Sequence, residues 1–94
     1  MEIRFYLDPE LGLPHIYGHG VTEEEVEQVL RVSGGDVQGR RGTRMKLGRT
    51  SAGRYLQVIY SPDEKPGSVF VITAYELTGK AKRAYRRRRR RKLR

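Results

Sequence analysis

The 94 residues suffice for one domain with one modest core, and the lack of cysteine excludes disulfides, thiolate metal sites and cysteine nucleophiles. The formal charge of +9 is segregated: residues 1–77 hold nine Lys/Arg against all eleven Asp/Glu, whereas 78–94 hold eleven Lys/Arg and no acid. That is the electrostatic footprint of a protein that meets a polyanion, and the apolar runs are far too short for a membrane span.

Residues 2–7 alternate, with Ile3, Phe5 and Leu7 on one side, and predict a half-buried first strand. The stretch from Asp8 to Gly20 carries two prolines and three glycines and predicts a loop with at most a turn of helix. Thr22 then opens a helix: it can cap the first turn, Glu25 completes a capping box, and Val21 with Val26 form a hydrophobic staple. Val26, Val29 and Leu30 give its buried stripe, and Gly34-Gly35 ends it.

Strands follow. A short one is predicted at 37–40, an alternating one at 43–49, and a third at 54–61 after a tight turn at Ser51-Ala52-Gly53. Residues 68–76 contain the consecutive apolar run Val69, Phe70, Val71 and Ile72, which predicts a central strand covered on both faces. Thr78 can cap a second helix with a narrow seam of Ala81, Ala84 and Tyr85, beyond which six adjacent arginines, Arg86 to Arg91, repel one another and should fray. The order predicts an α+β fold: a small antiparallel β-sheet, covered on one side by helix, with one helix after the first strand and a C-terminal helix. Residues 1–85 form the expected domain. Residues 86–94 form a basic tail, either disordered or an extension of the helix.

Cleavage of RNA by its own 2′-hydroxyl needs a base, an acid for the leaving oxygen and positive charge for the phosphorane. Arginine suits the last task through planar, bidentate contact with phosphate. Two histidines can move protons near neutral pH, and His19, in the Gly18-His19-Gly20 turn just before a capped helix, is the stronger candidate. His15 reads as a loop residue, and two histidines are too few for a metal centre, so no metal or cofactor is expected. Arg49 shares the parity of Met45 and Leu47, whereas Arg44 and Lys46 alternate away onto a face that reads as solvated. Tyr75 and Tyr85 carry phenols able to meet a phosphate or stack on a base. Arg44, Lys46, Lys80, Lys82, Arg86, Arg87 and Arg90 are the remaining expected RNA contacts.

Three segments resemble the BrnT family of ribonuclease toxins, which belong to the RelE superfamily. Phe5 to Asp8 leading to His19-Gly20-Val21-Thr22 is similar to the family's "KHGV" stretch. Leu47-Gly48-Arg49-Thr50 is followed by Gly53-Arg54-Tyr55-Leu56, and Val71-Ile72-Thr73-Ala74 with Thr78, Arg83 and Tyr85 is similar to the "ISAR…T…R…Y" ending. The chain has Gly18 and Tyr75 where the family pattern has basic residues. The resemblance implies a RelE-like fold and a metal-independent endoribonuclease of a toxin–antitoxin pair. Residue by residue it points to His19, Arg49, Arg83 and Tyr85. The implied partners are RNA, the ribosome and a cognate antitoxin, in the cytoplasm. A non-catalytic RNA-, DNA- or ribosome-binding protein of the same fold is the alternative.

Overall fold

The computed structural model describes residues 1–32 and 34–92, without the side chains of Arg91 and Lys92. Five strands form one sheet: β1 (Glu2–Phe5), β2 (Asp36–Gln38), β3 (Arg44–Arg49), β4 (Tyr55–Pro62) and β5 (Ser68–Glu76). Two α-helices, α1 (Glu23–Arg31) and α2 (Gly79–Lys92), and a 3-10 helix at His15–His19 complete the fold. The strand order is β1-β5-β4-β3-β2. The chain is thus α+β, but the sheet is mixed rather than antiparallel, because β1 lies parallel to β5 with Glu2 opposite Ser68 and Phe5 opposite Val71. Nor does a helix follow β1 directly. A loop closed by a Leu7–Pro14 bridge and the 3-10 helix come first. Leu7 leaves the predicted alternation and is 52% exposed.

The first helix forms as its sequence dictates. The Thr22 hydroxyl accepts from the Glu25 N–H and the Glu25 carboxylate accepts from the Thr22 N–H, so two otherwise orphaned donors are satisfied reciprocally. Val21 and Val26 are both fully buried beside this cap, and Val26, Val29 and Leu30 press the helix onto the sheet.

That sheet face is identified by Gly48. A Cβ there would lie 2.9 Å from Cγ1 of Val29, so the side of β3 bearing Lys46 and Gly48 faces α1. Cross-strand pairing carries the face through Leu56 and Val58 to Ala74, and through Tyr60 to Val71. These residues, with Ile16 from the 3-10 helix, are the core. The strand β5 is an interior strand, between β1 and β4, while β4 rather than β5 holds the middle of the sheet. Ile72 is an extra residue between the Ile59–Thr73 and Tyr60–Val71 pairs, a bulge that lets residues 71 and 74 share one face.

The opposite face is covered in part. Tyr85 of α2 is buried there, edge-on to Tyr55 at 5.9 Å between ring centres. The helices therefore flank both faces of the sheet, not one, because α2 has an aromatic anchor of its own. Its apolar seam is narrower than predicted: Ala81 is exposed and Tyr85 is the buried member. The helix also runs on through the arginines to Lys92 rather than fraying at Tyr85. Leu93 and Arg94, the end of the predicted tail, lie outside the described residues.

Candidate nucleic-acid interface

The α2-side face of the sheet gathers cations around one ring. Arg49 pairs with Tyr55 across the β3–β4 hairpin, and its guanidinium carbon lies 5.7 Å from the Tyr55 ring centre. Lys82 Nζ lies 5.3 Å from the same centre and the Arg86 guanidinium carbon 5.9 Å. Each such contact contributes about 0.5–1 kcal/mol at an exposed site. Three like charges on one half-buried ring also repel one another, and an anion lying among them would relieve that repulsion. Arg83, Arg86, Arg87 and Arg90 line one cleft along α2, so Arg86 joins the Tyr55 cluster to an arginine stripe.

His19 reaches this face through Tyr75. The imidazole lies 6.1 Å from the Tyr75 ring and 5.3 Å from His15. Tyr75 pairs with Gln57, and Tyr55 stands two residues before Gln57 on the same side of β4. Tyr75 and Tyr55 are thus diagonal cross-strand neighbours, a relation of about 7–8 Å that aromatic side chains can span. The face therefore runs His19, Tyr75, Tyr55, Arg49, with Lys82 and Arg86 over its far end. His15, expected to be a plain loop residue, is half-buried between Tyr6 and His19.

Other expected contacts fall elsewhere. Lys46 is only 5% exposed, on the face beneath α1. Its ammonium donates to the Val32 carbonyl at the end of α1 and lies 3.4 Å from Asp36, which also accepts from the Tyr60 hydroxyl at 2.6 Å. Lys46 is a helix-end clamp and not an RNA contact, because the face that reads as solvated is the buried one. Arg44, on the same side, leans toward Asp36 at 4.0 Å. Lys80 is exposed at the start of α2. Arg83 lies on the arginine stripe, while Lys82 and Arg86 are the α2 cations that reach Tyr55. Tyr85 is the buried anchor that holds them there.

The start of α1 is not a free anion site beside His19, since carboxylates already occupy it. Glu25 takes the Thr22 N–H and is also held by Arg54 at 3.0 Å through both oxygens. Arg54 donates as well to Glu76 at 2.8 Å and to the Gly20 carbonyl at 2.8 Å, tying the hairpin, the end of β5 and the turn after His19 together. Partial desolvation works to raise the Glu25 carboxyl, but the bonds from Thr22 and Arg54 outweigh it and hold the group below the usual carboxylate range. Bonds to Glu76 and then Glu25 push the Arg54 guanidinium up in turn. Neither Arg54 nor Tyr55 stands out by residue type. Their only sequence signal is the Gly53-Arg54-Tyr55-Leu56 stretch that opens β4.

Compared with known proteins, the chain matches no family model, no curated protein and no solved structure. No described helix is long and apolar enough to cross a membrane.

Proposed function

We propose that this protein binds RNA on the Tyr75–Tyr55 face and cleaves it without metal, as a ribonuclease toxin similar to the BrnT family and silenced by an acidic antitoxin. The observation that carries the reading is the convergence of Arg49, Lys82 and Arg86 on Tyr55, one tyrosine away from the His19 imidazole. A phosphate among the three cations would be gripped by bidentate guanidinium groups, and the scissile phosphate, one nucleotide along the strand, would lie beside Tyr75 within reach of His19. His19 would take the proton of the 2′-hydroxyl as its oxygen bonds phosphorus, and the bond from phosphorus to the 5′-oxygen would break, that oxygen taking a proton from water, to leave a 2′,3′-cyclic phosphate. Tyr75, between imidazole and cations, would position the nucleotide.

The test is cleavage of a labelled RNA in the presence of a chelator. The wild-type protein is expected to give cyclic-phosphate ends, and His19→Ala to lose cleavage while keeping affinity. Cleavage that survives His19→Ala would overturn the assignment of the base. The second reading, a binding protein without catalysis, is favoured by the carboxylates that fill the start of α1 beside His19. Tight binding with no cleavage by the wild type would establish it.

A further inference from the structure

The imidazole of His19 belongs to a longer row of rings. Beyond Tyr75 and His19, His15 lies 5.3 Å from His19, and Tyr6 lies 5.9 Å from His15, each pair tilted or edge-on. The backbone builds the row. The strand β1 stops at Phe5, but the Tyr6 N–H still bonds the Val71 carbonyl, and the His15 N–H bonds the Tyr6 carbonyl. The start of the 3-10 helix is thereby held against the first residue after β1. Tyr6 is 41% exposed and Tyr75 36%, and His19 is exposed too. Aromatic surface of this extent is left in water, continuous at one end with a cluster of cations.

Phosphates alone would be served by the arginines. A row of rings leading away from them, exposed at Tyr6, His19 and Tyr75 and half-buried at His15, suits a ligand that carries flat apolar faces on an anionic backbone. Unpaired nucleobases have that chemistry, whereas a duplex hides its base faces in its own stack. We infer that Tyr6 and His15 form a base-stacking subsite that extends the His19–Tyr75 end of the interface, and that the ligand is single-stranded RNA. This rests on the RNA-binding reading above. The arginines supply affinity that salt weakens; the rings supply preference for unpaired bases that salt leaves untouched.

The experiment is fluorescence anisotropy on the full chain with three probes: a single-stranded RNA, its duplex, and an abasic strand of equal length. Wild-type protein is expected to bind the single strand tightest. Tyr6→Ala and His15→Ala should each weaken single-strand binding by about tenfold at every salt concentration, and leave the duplex and abasic probes unchanged. Tyr6→Phe and His15→Tyr, which keep a ring, should retain the preference. Equal losses on all three probes, or wild-type binding to the abasic strand as tight as to the base-bearing one, would overturn the subsite and leave phosphate binding intact. Failure of the wild type to bind any probe at low salt would instead remove the RNA reading itself, and the subsite with it.

Discussion

Replacing Lys46 by Met separates a structural cation from a ligand-binding one. Methionine keeps most of the buried stem and removes only the ammonium, which holds the Val32 carbonyl and Asp36. Breaking a fully buried ion pair from one side costs about 3–5 kcal/mol, but the Asp36 side chain is 32% exposed and keeps its bond from Tyr60, so less of that penalty applies. An orphaned carbonyl adds about 1–3 kcal/mol where water cannot reach it. A net loss of about 2 kcal/mol follows, which for a domain this small lowers Tm by roughly 8–16 °C. Urea and thermal melts followed by circular dichroism measure it. RNA affinity below the new Tm should be unchanged, with the same dependence on salt. Arg86→Gln should do the reverse: a Tm lowered by a few degrees at most, for the loss of one cation–π contact, and a salt slope shallower by about 0.7 for each lost single-strand phosphate contact. An unaltered melt for Lys46→Met together with a shallower salt slope would refute the placement of Lys46 under α1.

Gly48→Ala should destabilise by about 1–3 kcal/mol in the same melts, because its Cβ would meet Val29, a fully buried, β-branched residue with little freedom to turn away; wild-type stability would mean that α1 does not approach β3 this closely. Acid should weaken the fold through Glu25. Its folded carboxyl titrates lower than an unfolded glutamate, so its contribution is whole above about pH 4.3 and is lost as pH falls through the depressed value. Urea midpoints between neutral pH and strong acid should therefore fall less steeply for Glu25→Gln than for wild type, and parallel curves would count against the Arg54–Glu25 pair.

The elements that local chemistry determines are legible in the sequence. The capping box at Thr22 and Glu25, the Val26/Val29/Leu30 stripe and the Ser51 to Gly53 turn depend on neighbours a few residues apart, and each forms as expected. What depends on the other side of the sheet is not legible. The parity of Lys46 against Met45 predicts opposite faces correctly, but not which face meets α1, since a basic strand side reads as solvated until a helix end supplies a carbonyl for it. Gly48 inside a strand pattern is the available signal of close backbone approach, and it marks the covered face. The parallel pairing of β1 with β5 joins residues at opposite ends of the chain and has no local signature. In the candidate site, His19, Arg49 and Tyr75 were readable from residue type and position. Tyr55 was not, because its importance lies in three cations that reach it from two elements.

Affinity and positioning are assigned to different parts of α2. The arginines beyond Arg86 give charge without register, whereas Lys82 and Arg86 share the Tyr55 ring with Arg49 where Tyr85 is packed against it. The remaining described side chains of α2 are mostly long cations, which hold a helix to a sheet weakly. Tyr85→Ala removes a buried aromatic of the kind whose loss costs about 3–5 kcal/mol, more than such contacts replace, so α2 should detach while the α1-side core stays folded. Far-UV circular dichroism should report the lost helix, and RNA affinity at low salt should stay within a few-fold of wild type, since the charge is unchanged. Cleavage, however, should fall as far as in His19→Ala, because the cations no longer stand at a fixed distance from the imidazole. A variant that loses the helical signal and still cleaves would show that the phosphate is held by Arg49 and the body alone.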